Sequence, residues 1–196
     1  MVDTIAEDVN QRIARRVRDL RAARGLTLEG LAERSGVSRS MISLIERGES
    51  SPTAVLLERL ASGLDVALAS LFDAPGASPD PLSRRADQTL WRDPATGYVR
   101  RNVSPGNFPS PIRIVEVELP AGARVAFDNG ARDARLHQQI WVLEGTIEVW
   151  TGDTHHTLQQ GDCFAHTLDL PNGFHNPTAR PARYAVVIVS EGGSVR

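Results

Sequence analysis

The feature that most limits how this chain can fold is a break about a third of the way along it. Ala74 to Ser83 reads Ala-Pro-Gly-Ala-Ser-Pro-Asp-Pro-Leu-Ser, three prolines and a glycine in ten residues. Neither a helix nor a central strand runs through such a stretch, and nothing in it anchors a core, so it reads as a linker. The hydrophobic texture differs on its two sides. Before it, Val9, Ile13, Val17 and Leu20 recur at steps of four, four and three, one face of a helix. After it, short runs rich in Val, Ile, Tyr and Trp alternate with Gly, Pro, Asp and Asn turns. Ile112 to Leu119, Ile140 to Trp150 and Arg183 to Ser190 are the clearest strands. The pattern predicts two domains of different class: residues 1–73 helical, 74–86 a linker, and 87–196 an antiparallel β-domain.

Within the first domain the stops and starts are local. Gly25 ends the first helix, and Thr27 caps a second that carries Leu28, Leu31 and Ala32. Gly36 breaks the chain, and Ser38 caps a third helix with Ile42 and Ile45 before Gly48. Pro52-Thr53 opens a fourth, with Leu56, Leu57 and Leu60, and a short fifth turn spans Ala67 to Phe72. The sum is a five-helix bundle. A short glycine-containing turn between two helices sets them at a steep angle, the requirement of a helix-turn-helix. Here the pair is Thr27 to Arg34 and Ser38 to Arg47, joined through Ser35-Gly36-Val37. Arg39, Ser40 and Ser43 fall on the exposed side of the second helix, with Leu44 nearby.

Charge agrees with that surface only locally. Net charge is −2, yet every basic residue is arginine, and six fall between Arg12 and Arg24 against Asp19 alone. Arginine forks onto phosphate and base edges, so the cluster is compatible with DNA. A composition of 41% hydrophobic and 23% charged residues is that of a soluble globular protein, and no apolar run spans a bilayer. One cysteine, Cys163, excludes an internal disulfide and reads as a buried, inert thiol. With no signal-peptide pattern at Met1-Val2-Asp3-Thr4, a cytoplasmic location is expected.

The run Leu31-Ala32, Gly36-Val37-Ser38, Ile42, Glu46, Gly48 and Ser51-Pro52-Thr53 resembles the xenobiotic-response-element (lambda-repressor-like) helix-turn-helix family, over about Val9 to Phe72. The resemblance implies a sequence-specific transcription regulator on double-stranded DNA. It implies that Arg39, Ser40 and Leu44 face bases, that Thr27 and Ser38 sit against phosphates, and that Arg21 and Glu46 form a structural ion pair. Leu28 stands where the family often has a DNA-contacting glutamine. Of the exposed residues, Arg39 is best suited to guanine, through a bidentate bond.

The second domain resembles the cupins through Val142-Leu143-Glu144-Gly145, Gly161-Asp162 and Asn176-Pro177, which implies a jelly-roll-like β-barrel. Many cupins hold a divalent metal with three histidines and a glutamate. Counted from Gly145, those positions in the first motif are Arg132, Ala134 and Gln138, and counted forward from Gly122 the histidine pair falls at Asp128 and Gly130. Counted from Gly161, the second motif gives Thr167, Asp169, Asn172 and Asn176. No metal ligand set, no cofactor and no catalytic residue is therefore expected. The replacements suit a small polar or anionic effector, with Arg132 forking onto an anion, Gln138 and Asn172 as polar floor, and His166 or His175 within reach. Strand alternation sends His137 to the face opposite Gln138. Trp141, Trp150, Phe164 and Phe174 are assigned to the barrel core. A homodimer through the second domain is expected, because a two-fold protein reads two half-sites. The competing readings are a cupin enzyme carrying a DNA-binding domain, and a constitutive DNA binder whose barrel only dimerises.

Overall fold

A computed structural model describes residues 2–73, 80–106, 108–128 and 135–191. Four α-helices come first: α1 (Val2–Ala23), α2 (Leu28–Ser35), α3 (Arg39–Glu46) and α4 (Ala54–Gly63). Val9, Ile13, Val17 and Leu20 are buried along one stripe of α1, as their spacing dictates. The helix starts are side-chain capped: Thr27, Ser38 and Thr53 accept from the amides of Gly30, Met41 and Leu56 at 3.0, 3.3 and 3.3 Å. Each satisfies a donor that has no partner within its helix. Gly36, at φ 66°, terminates α2 in the left-handed conformation and makes the tight turn into α3 possible.

The expected fifth helix is a 3₁₀ segment, Leu68–Phe72, so the bundle has four α-helices rather than five. Five residues are too few to nucleate an α-helix, and i→i+3 bonds such as Ser70 N to Ala67 O, 2.9 Å, take over. Of the expected linker, residues 74–79 lie outside the described residues, and Arg85–Asp87 forms a second 3₁₀ turn.

Ten strands follow: β1 (Leu90–Arg92), β2 (Val99–Asn102), β3 (Ile112–Leu119), β4 (Arg124–Phe127), β5 (Arg135–Glu144), β6 (Thr146–Thr151), β7 (Thr154–Gln159), β8 (Cys163–Thr167), β9 (Asn172–His175) and β10 (Ala182–Glu191). They make two antiparallel sheets, ordered β1-β2-β3-β10-β5-β8 and β4-β9-β6-β7. Among the described residues no ladder closes these two sheets into a barrel, so the expected jelly-roll-like barrel is seen as two sheets. From β3 to β4, β5 to β6, β7 to β8, β8 to β9 and β9 to β10 the chain changes sheet at each connection. The inner faces pack on each other instead, with Phe174 of β9 stacked on Tyr184 of β10 at 5.3 Å.

Three placements differ from the sequence reading. Trp150 of β6 is half-buried with Arg124 over its ring at 4.1 Å, outside the core. In β5 the even-numbered residues Leu136, Gln138, Ile140 and Val142 are buried. Trp141 therefore points outward and is 51% exposed, not part of the core. Cys163 is likewise exposed, at the start of β8 on the edge of its sheet.

The two domains meet across a continuous apolar core, where Phe72 packs edge-on against Trp91 at 5.7 Å. Polar contacts fix the join. Arg12 donates to Thr89 Oγ1 at 2.7 Å, the amide of Ala54 donates to Asp93 at 2.9 Å, and Arg59 pairs with Asp128 at 2.5 Å. Asp73 lies 3.5 Å from Arg113.

Candidate DNA-reading surface and effector cavity

The surface expected to read DNA is built on α3. Ile42 and Ile45 are fully buried against the bundle, which turns Arg39 and Ser40 to solvent. Arg39 lies 3.5 Å from Glu29 of α2, and both side chains are more than 60% exposed. Such a loose surface pair contributes little to stability and leaves the guanidinium in solvent. Ser38 and Ser40 hydroxyls are 3.2 Å apart at the helix start. Ser43 and Leu44 are half-buried, and Ser43 accepts from Arg47, which also forks onto Glu49. Thr27 is exposed at the start of α2. All six residues predicted to contact DNA therefore belong to the paired helices and their caps.

Behind this surface, Arg21 forks onto Glu46 at 2.6 and 2.8 Å and also donates to Leu26 O at 2.9 Å. The pair ties α1 to the end of α3. The glutamate's bond holds the Arg21 pKa above its ordinary value, against the cost of burial.

The second site is a cavity between the two sheets, closed on one side by the helical domain. Its volume is about 50 Å³ as traced by the centre of a water-sized sphere, space for several waters or one small molecule. Glu58, Ala67 and Leu68 line it from α4 and the segment leading into the 3₁₀ helix. Gln138 and Asn172, both predicted, line it from β5 and β9 and are 8% and 2% exposed. Gln138 Oε1 is 2.8 Å from His166 Nε2. Burial lowers the His166 pKa, and Asp169 acts in the opposite sense. Asn172 Oδ1 is buried without a hydrogen-bond partner.

His175 is not brought to this cavity. Asn172 and Phe174 take the inner face of β9, so His175 points the other way and meets Glu148 at 2.8 Å. Arg132 lies outside the described residues. Asn176 is fully buried but structural: its amide donates to the carbonyls of Leu119 and Arg180.

The sequence reading missed the strongest polar group in the cavity. Arg100 of β2 is 5% exposed, lines the cavity with Tyr98 and Tyr184, and holds its guanidinium carbon 5.5 Å from the Phe72 ring centre. Burial lowers its pKa, an effect the two phenols oppose. The signal was present as a two-residue spacing: if Tyr98 faces the core, so does Arg100.

A metal of the cupin kind does not fit these residues. Among the described residues no group of three or more His, Cys, Asp or Glu is arranged to hold an ion. The amides of Gln138 and Asn172 are poor ligands for a transition metal, and a buried guanidinium beside them repels a cation.

An exposed arginine on a capped recognition helix, joined to a cupin-like two-sheet domain, defines the class of a DNA-binding regulator. Comparison with known proteins agrees. The helix-turn-helix family model HTH_3 matches residues 17–71. The HTH-type transcriptional regulator SutR of Escherichia coli is 23% identical over 87% of this chain and 90% of its own length. The HTH-type transcriptional regulator y4dJ of Sinorhizobium fredii is 38% identical over 31% of this chain and 78% of its own length. The crystal structure of an HTH_3 family transcriptional regulator from Vibrio cholerae superposes with a TM-score of 0.77 at 29% identity, over 94% of this chain and 98% of that one. The chain belongs to the HTH-type transcriptional regulators. No helix among the described residues is long and apolar enough to cross a membrane.

Proposed function

We propose that this regulator senses a small molecule in the cavity of its β-domain, without catalysing a reaction, and that the ligand alters its affinity for DNA. One observation carries the reading: the cavity is walled by both domains. Glu58, Ala67 and Leu68 come from the helical side, and Gln138 and Asn172 from the sheets. A ligand shifts an equilibrium only through its differential affinity for the two states. An occupant that touches α4 has such a difference if α4 moves relative to the sheets. α4 in turn packs on α2, the first helix of the DNA-reading pair.

Arg39 and Ser40 are the base readers in this proposal, with Ser43 and Leu44 beside them and Thr27 and Ser38 at phosphates. The working unit is a homodimer joined through the outer face of the six-stranded sheet. That face carries Trp141, Ile112 and Ile114, which are 51%, 45% and 37% exposed. A second copy covering them removes apolar surface from water and supplies the two-fold symmetry that paired half-sites require.

The test is DNA binding by the purified protein, using fragments from its own genomic neighbourhood at two salt concentrations, with small-molecule fractions of a cell extract added. A fraction that changes both operator affinity and thermal stability in the wild type, and neither in Gln138→Ala, is the expected result. If no fraction changes either quantity, the protein is a constitutive DNA binder and the sensing role is wrong.

A further inference from the structure

We propose that the cavity binds a small monocarboxylic acid with an apolar body, its carboxylate held by the guanidinium of Arg100. This rests on the sensing role above and names the ligand class for the same cavity. Arg100 is 5% exposed, so its charge is held away from solvent. Its Nε donates to Asn102 Oδ1 at 3.3 Å, and the Tyr98 phenol bonds it as well. Its Nη2 is buried and has no acceptor. The groups that oppose the effect of burial at Arg100 are the two phenols, Tyr98 and Tyr184. Burial pushes the pKa of both Tyr98 and Tyr184 up, so neither supplies a negative charge near neutral pH. Among the described residues the carboxylate on the cavity wall is that of Glu58, which is buried and engaged in an interaction.

A buried guanidinium with an orphan donor needs both a counter-charge and an acceptor, and a carboxylate brings the two together. Arg100 brings one positive charge, and the buried carboxylate of Glu58 already stands on the same wall, so the cavity tolerates a monoanion better than a dianionic phosphate. The remaining wall is aliphatic and aromatic, including Val117, Val125, Leu136, Phe174 and Val186, which suits an alkyl body. Asn172 Oδ1, an orphan acceptor in the same wall, favours a hydroxyl on that body.

The experiment uses the full-length protein, with binding followed by calorimetry and by melting temperature. The probes are propanoate, lactate and butanoate, small enough for a cavity of about 50 Å³, with propanamide and 1-butanol as neutral counterparts. The expected result is that at least one carboxylate binds and raises the melting temperature while its neutral counterpart does not. Arg100→Met should lose that binding by roughly 10- to 100-fold, with an unliganded melting temperature equal to or above that of the wild type. Arg100→Lys, which keeps the charge but not the fork, should bind more weakly than wild type and serves if the methionine variant does not fold. Equal binding of acids and neutral counterparts overturns the carboxylate assignment while leaving the sensing role standing. Carboxylate binding unchanged in both variants overturns the role of Arg100. Binding of none of the probes also overturns the proposal, and the extract screen then decides the sensing role separately.

Discussion

The amide of Ala54, the first residue of α4, donates 2.9 Å to the carboxylate of Asp93, which lies 39 positions further on in the β-domain. Asp93 is 2% exposed, and its other oxygen accepts from the amide and the hydroxyl of Thr96 at 2.9 and 2.5 Å. One side chain thus satisfies an open donor of α4, places negative charge at the positive end of that helix, and folds the β1–β2 turn. This makes the join between the domains an ordered structure rather than a flexible tether.

Asp93→Ala is therefore expected to cost more than an ordinary turn substitution. It strands the Ala54 amide and removes charge-assisted bonds, for a loss of roughly 2–4 kcal/mol. Urea unfolding should show it, with helical and tryptophan signals no longer coincident as the domains separate. Asp93→Asn keeps an acceptor and should lose about half as much. A single coincident transition at wild-type stability in Asp93→Ala would remove the residue from the join.

For DNA, Arg39→Ala should weaken binding to the specific operator by about 1–3 kcal/mol and flatten discrimination at one base position. The protein's own stability should stay within about 0.5 kcal/mol of wild type, because the Arg39–Glu29 pair is loose and exposed. Glu29→Gln removes a nearby negative charge and should tighten binding at low salt. The readout is the slope and position of affinity against salt on operator and scrambled DNA. An equal loss on both sequences would make Arg39 a phosphate contact only.

Asp73 gives the join a pH dependence. Burial raises its pKa from 3.8 to about 6, although Arg113 and Arg16 pull it down. Desolvation wins because the contact to Arg113 is long, 3.5 Å. A folded-state pKa above the unfolded one means the folded state holds its proton longer. The contribution is most favourable below about pH 4, falls as pH rises, and is lost above about pH 6, by roughly 3 kcal/mol at most. His166, with a lowered pKa, acts with the opposite sign, so the wild-type curve alone does not isolate Asp73. The difference between wild type and Asp73→Asn does: it should favour the variant at pH 8 and shrink towards pH 4. A difference that grows towards low pH would mean that the Arg113 attraction dominates.

The helical half was legible because its determinants are local. Thr27, Ser38 and Thr53 cap helices by bonding three residues ahead, and a buried stripe on α1 follows from spacing alone. The cavity was less legible because it depends on which face of each strand turns inward and on what closes the opening. Alternation gave Gln138 its direction, but the same rule applied from Asn172 would have turned His175 outward, and applied from Gln138 would have exposed Trp141. Arg100 stayed hidden because an Arg-Arg pair in a four-residue strand reads as solvated surface. Its burial depends on Phe72 and Tyr184, which come from distant parts of the chain.

The close approach of α4 to α2 leads to the last prediction. A Cβ added at Gly63 would lie 2.8 Å from Ser35 Cβ and 3.0 Å from its Cα and N. Ser35 is itself fixed: its hydroxyl donates to Leu31 O at 2.7 Å and accepts from the amide of Val37 at 3.2 Å, which shapes the turn into α3. Replacing a helical glycine by alanine ordinarily gains about 1 kcal/mol of helix propensity. Here the opposing contact includes backbone, which cannot swing aside, and overpacking of this kind costs about 1–3 kcal/mol. Gly63→Ala should therefore be destabilising on balance, by about 1 kcal/mol in urea unfolding. Because relief requires α2 to move off α4, operator affinity should fall as well, without any contact to DNA having been removed. A variant more stable than wild type, with unchanged DNA affinity, would show that the helices separate at no cost and that their spacing does not set the geometry of the recognition helix.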